Sequence, residues 1–122
     1  MLMFDANMIL RYLLNDNAVM AEKVEQYLDT GNVLVTIEVI AEVVYVLKGV
    51  YSLECDEVAD ILRGLLELVS CRDGEVLNFA LDNFGKHNLD FVDCVLYAYN
   101  RVKGIDIATF DKKLLKLLSE TR

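Results

Sequence analysis

The chain has 122 residues, 55% of them hydrophobic, with a mean hydropathy of +0.32 and a formal net charge of −8. That length suits one domain with an ample core, and the apolar surplus points to a covered interface as well. The acidity excludes broad, non-specific nucleic-acid binding through a basic surface, but not a site that holds phosphate through metal ions.

"MLMF" (1–4) predicts a short buried strand, and "NMILRYLLND" (7–16) a helix with Ile9, Leu10, Leu13 and Leu14 at helical spacing. "NAVMAEKVEQYLD" (17–29) predicts a second amphipathic helix, stopped by Gly31, and "NVLVT" (32–36) a second strand. "IEVIAEVVYVL" (37–47) is β-branched enough for a strand, but its length and its two glutamates four apart predict a helix, apolar nearly all round and therefore buried. "SLECDEVADILRGLLE" (52–67) predicts a helix with an acidic first turn, "LVSC" (68–71) a third strand and "DGEVLNFALDNF" (73–84) another helix. "DFVDCVLYAYNRVKG" (90–104) reads as a helix with Asp90 at its N-cap and Gly104 at its end. "DIAT" (106–109) predicts a last strand and "DKKLLKLLSE" (111–120) a final helix.

Strands alternate with helices and no hairpin dipeptide joins them. This predicts βαβ units in one α/β domain over residues 1–122. The expected architecture is a three-layer α/β/α sandwich around a mainly parallel sheet of about four to five short strands. There is no Pro, only six Gly, and no apolar run near the roughly 18 residues of a membrane span. The N-terminus has no basic start and Asp5 interrupts its apolar stretch, so a signal peptide is not expected. A soluble, cytoplasmic protein without a membrane partner is the expectation. Cys55, Cys71 and Cys94 match neither a disulfide framework nor a zinc spacing and read as reduced, mostly buried thiols.

In parallel sheets ligands bind beyond the carboxyl ends of the strands. Asp5 ends the first strand, Glu42 lies two turns into the helix after the second, and Asp111 follows the last. Asp90 and Asp93 share a face at the start of their helix. Each acid also has a plain structural role open to it. Asp5 and Asp111 suit N-caps, Asp90 with Asp93 a capping-box-like pair, and Glu38 with Glu42 a solvated stripe. Convergence of several acids favours function over these roles.

Clustered carboxylates require cations, and oxygen-only ligands suit Mg²⁺ or Mn²⁺. Such a site performs metal-assisted hydrolysis of a phosphodiester without a side-chain nucleophile, and no Ser–His–Asp set or nucleophile elbow is evident. The one histidine, His87, sits in the polar stretch "GKHN" and reads as a surface residue.

"FDANMILRYLL", "TIEVIAEVVYVL", "DFVDCVLYAYNR" and "IATFDKKLLK" resemble, in order and spacing, the motifs of PIN domains. The likeness is greatest to the VapC-like ribonuclease toxins of toxin–antitoxin pairs and spans essentially the whole chain. The resemblance implies that Asp5, Glu42, Asp93 and Asp111 are the catalytic acids that bind Mg²⁺ or Mn²⁺. It assigns auxiliary places to Asn7, Asp90 and Thr109. It further implies cleavage of single-stranded RNA, a homodimer, and inhibition by a small VapB-like antitoxin. Ala6 stands where the family commonly has Thr, and "VTIEV" lacks the Pro common before the Glu-bearing helix; neither removes a ligand.

RNA also needs positive charge near the acids. Arg11, Lys112 and Lys113 are the candidates, with Lys116, Arg101 and Lys103 nearby in sequence; a solvated basic face is the plainer alternative for each. Two other functions remain open. One is a phosphatase with Asp5 as nucleophile, for which Asn7 stands where a second acid belongs. The other is a non-catalytic, PIN-like partner-binding module.

Overall fold

A computed structural model describes residues 1–120. The elements run β1 (Leu2–Met3), α1 (Ala6–Leu14), α2 (Ala18–Asp29), β2 (Val33–Val35), α3 (Ile37–Gly49), α4 (Cys55–Leu66), β3 (Ser70–Cys71), α5 (Gly74–Lys86), α6 (Phe91–Lys103) and α7 (Lys112–Ser119). The three strands form one parallel sheet in the order β1-β2-β3. Leu2 pairs with Val33 and Met3 with Leu34; Leu34 pairs with Ser70 and Val35 with Cys71.

The expected alternation is therefore present, but the sheet has three strands among the described residues, not four to five. The missing strand is 106–109. Gly104 ends α6 with φ 71°, and the Ile105 N–H then donates back to the Tyr99 carbonyl at 3.4 Å. The Asn100 amide donates to the Ile105 carbonyl at 3.0 Å, so both backbone groups of Ile105 are engaged by the helix end. Beyond it, Phe110 lies fully in solvent. A strand exists only by pairing, and among the described residues no strand pairs with the outer edge of β1.

The two faces of the sheet differ. Val33 and Val35 point to one face and are buried, whereas Leu34, between them, is half-buried. Its register partners on that second face, Met3 and Ser70, are exposed. The expected third layer is thus incomplete near β1. The core lies among the helices instead, with Ile9, Ile40, Leu47, Leu62, Leu77 and Leu81 fully buried. At about 25 cal/mol per Å² of apolar surface, each such side chain contributes roughly 1.5–3 kcal/mol.

Local signals place the helix starts. Thr36 ends β2 and caps α3, its hydroxyl accepting from the Val39 N–H at 3.2 Å. Glu54 and Glu57 form a capping box at α4, which starts at Cys55 and not at 52. One expectation about α3 is overturned. The helix is not buried all round: Ile40, Val43, Val44 and Leu47 face the core, while Glu38, Glu42 and Tyr45 form an exposed stripe. Spacings of four and three residues bring these side chains to one side, so Glu42 is solvated. No helix among the described residues is long and apolar enough to cross a membrane.

Candidate functional site

A cleft of about 880 Å³ opens between the C-terminal half of α3, the start of α6 and the start of α7. Three acids line it: Asp90, Asp93 and Asp111. Asp90 occupies the N-cap position of α6 but makes no capping hydrogen bond, so its carboxylate is uncommitted. The capping-box-like role for Asp90 and Asp93 is therefore not realised. Asp93 follows one turn later and is half-buried. Asp111 caps α7, its Oδ1 accepting from the Leu114 N–H at 2.9 Å, while the Thr109 hydroxyl accepts from the Asp111 N–H at 3.0 Å.

Burial raises Asp93 above the ordinary carboxylate range, and the charges of Asp111 and then Asp90 push it further the same way. No hydrogen bond to the Asp93 carboxylate offsets this among the described residues. A carboxylate raised by desolvation and like charge in a cleft is a functional-site candidate.

The sequence-derived candidates divide. Asp93, Asp111, Asp90, Lys112 and Lys113 line the cleft. Asp5 and Glu42 do not. Asp5 is exposed at the end of β1 and caps α1, its Oδ1 accepting from the Met8 N–H at 2.9 Å; Asn7 is exposed in the first turn of that helix. No group of three or more His, Cys, Asp or Glu side chains is gathered closely enough to hold a metal ion among the described residues. Arg11 is committed elsewhere, in a two-pronged ion pair with Asp16 at 3.0 Å. Arg101 donates to the Leu117, Leu118 and Glu120 carbonyls at the end of α7, so its role is structural. His87 is exposed, as expected.

The cleft also holds residues the sequence did not single out. Lys48 and Tyr45 come from α3, Cys55 from α4, and Phe84 and Phe91 supply an apolar wall. The legible signal for Tyr45 was its place on the Glu38–Glu42 stripe. A second hollow, about 230 Å³, lies at the carboxyl ends of β2 and β3, where Thr36, Glu38, Cys71, Arg72 and Asp73 meet. There the Tyr99 hydroxyl donates to Asp73 Oδ2 at 3.3 Å.

Comparison with known families decides the assignment. The sequence model of the PIN domain matches residues 2–118. The chain belongs to the PIN domain family. PIN domains are in general nuclease modules that use divalent metals, so the match supports a hydrolase acting on nucleic acid. No curated protein and no solved structure matches the chain.

The donor chemistry of this PIN domain fits a hard divalent cation in part. The Asp111 charge acts on Asp93, and Asp111 uses only Oδ1 for its cap. A cation between them would relieve the repulsion that raises Asp93. At least one further carboxylate must join the pair. Asp90 already lines the cleft, while Asp5 and Glu42 stand outside it.

Proposed function

We propose that this PIN domain is a metal-dependent endoribonuclease that cuts single-stranded RNA in the cytoplasm, and that it is the toxin of a VapBC-type toxin–antitoxin pair. The observation that carries the reading is the cleft in which Asp90 and Asp111 act on a half-buried Asp93. Asp93 and Asp111 are the proposed central metal-binding and catalytic acids, with Asp5 and Glu42 completing the set. Asp90, Asn7 and Thr109 are auxiliary. Thr109 holds the Asp111 backbone and so orients the carboxylate at the start of α7.

Mg²⁺ or Mn²⁺ would supply an activated water and neutralise charge on the scissile phosphate. The protein's own part is to bind and orient the chain. Lys112, Lys113 and Lys48 place three ammonium groups around the acids, which suits a polyanion. Tyr45, exposed on α3 at the cleft, offers an aromatic face to unstacked bases, and single strands expose such bases. Exposed Met1, Leu2, Met3 and Phe110 provide apolar area for a second copy or a small antitoxin.

The reading is tested by incubating the chain with mixed single-stranded RNA and Mn²⁺ or Mg²⁺, beside samples containing EDTA or Asp93→Asn. Cleavage that needs metal and is lost in Asp93→Asn is the expected result. The separation of Asp5 and Glu42 from the cleft favours a second reading, a non-catalytic partner-binding module. Calorimetry with Mn²⁺ separates the two: the nuclease binds the ion through Asp93, whereas neither cleavage nor binding would leave the module.

A further inference from the structure

Lys48, one of the cleft's three cations, and Cys55, which the proposed hydrolysis does not use, form a pair in the cleft wall. Lys48 lies in the last turn of α3, and Cys55 is the first residue of α4. The connection between them is short and held. The Val50 N–H donates to the Val46 carbonyl at 2.9 Å, the Leu53 N–H to the Leu47 carbonyl at 3.1 Å, and Ser52 turns the chain with φ 56°. This brings Lys48 Nζ to 3.0 Å from Cys55 Sγ, where it donates to the sulfur. The ammonium also lies 5.8 Å from the Phe84 ring centroid. Both side chains line the cleft of about 880 Å³, so a small solute reaches the sulfur.

The charged surroundings are mixed. Glu54 and Asp90 act on Lys48, and Asp56 and Glu57 follow Cys55 in the first turn of α4. The other thiols lack this setting. Cys94 is buried, its thiol pushed up to about 12 by burial and then by Asp93, and burial also raises Cys71. Neither receives an ammonium hydrogen bond among the described residues.

We propose that Cys55 and Lys48 together are a peroxide-responsive modification site that closes into a sulfur–nitrogen cross-link. In the first step the sulfur attacks one oxygen of hydrogen peroxide. The O–O bond breaks, sulfur gives up two electrons, water leaves, and Cys55 becomes a sulfenic acid. In the second step the Lys48 ammonium gives a proton to the sulfenic oxygen and the amine so formed attacks the sulfur. The S–O bond breaks, the oxygen leaves as water, the nitrogen releases a proton to solvent, and an S–N bond remains with no further oxidant. The starting separation of 3.0 Å is already that of reacting atoms. Closure removes one of the cleft's three ammonium charges. The inference rests on the geometry of the pair and stands whether or not the chain cleaves RNA.

The test is peptide mass mapping of the full chain after hydrogen peroxide, with and without a cyclic diketone that traps sulfenic acids. The trap should label Cys55 ahead of Cys71 and Cys94. Without it, a peptide joining residues 48 and 55 should appear, two hydrogens lighter than its parts and opened again by dithiothreitol. Lys48→Arg keeps the cation but not the nucleophile, so Cys55 should stay as reactive toward iodoacetamide while the cross-link vanishes. Lys48→Met should likewise lose the cross-link. An inert Cys55, a Cys55 sulfenic acid that never joins Lys48, or a disulfide to another thiol as the main product would each overturn the proposal.

Discussion

The cleft at the start of α6 and the hollow at the carboxyl ends of β2 and β3 both gather acids, and they treat them differently. In the hollow Asp73 receives the Tyr99 hydroxyl and shares the space with Arg72. In the cleft Asp93 is half-buried, meets two like charges and receives no hydrogen bond among the described residues. Topology alone would choose the hollow, because parallel sheets bind ligands at their carboxyl edge. Electrostatics favours the cleft, because a carboxylate raised by burial and like charge is a functional-site candidate. The unmet charge makes the cleft the candidate site.

The largest expected effect sets one acid of each region against the other. Asp93→Asn should reduce metal-dependent RNA cleavage by about 100-fold or more, whereas Asp73→Asn and Glu38→Gln should stay within about threefold. Equal losses in both regions would erase the distinction. The cations sharpen it further. Lys112→Glu with Lys113→Glu should weaken RNA binding by about tenfold or more and flatten its salt dependence in a fluorescence titration, while Arg72→Glu should change little.

The thiols offer a comparison by pH. Cys94, beside the cleft acid, is held neutral up to about 12, above its ordinary value near 9. A group raised in the folded state favours folding while it stays protonated, and that contribution is lost as the unfolded chain begins to ionise. Stability should therefore fall between about pH 9 and 12, with a slope from this group approaching about 1.4 kcal/mol per pH unit. Urea melts of Cys94→Ala should show a shallower alkaline decline than the parent chain.

Asp111 carries two duties that one pair of variants separates. Asp111→Ala should lose the α7 cap, at about 1 kcal/mol, together with cleavage. Asp111→Ser should recover most of the stability in urea melts and none of the cleavage.

The smallest effect has the opposite sign to its activity partner. Since Asp93 is raised in the folded chain, its ionised form penalises folding at neutral pH. Asp93→Asn should raise the melting temperature slightly, by less than about 1 kcal/mol of stability after solvent screening. That advantage should disappear as pH falls through the folded pKa of Asp93. A less stable Asp93→Asn at pH 7 would show that the carboxylate is a structural partner.

Helix starts and the acids were legible because their causes are local. Thr36 caps α3 and Asp111 caps α7 through hydrogen bonds spanning three residues, and Gly104 ends α6 in a left-handed turn. The alternation of strand and helix likewise showed that the sheet is parallel. The fate of 106–109 was not legible. It was expected to pair as β2 does, yet β2 lies between two strands while this stretch is tied to the end of α6. The solvated stripe on α3 was half legible: the Glu38–Glu42 spacing was visible, but the surrounding valines and isoleucine argued for burial on every side.

By itself the sequence determined where each helix lies to within about a turn, which carboxylates are available, and the family to which the chain belongs, because these depend on near neighbours and on motif order. Only the tertiary structure decided which acids share a cleft, which cations are already paired, and that Lys48 meets Cys55. Those outcomes depend on helices distant in sequence packing against one another. A charge is raised or relieved only by what that packing places within a few ångströms.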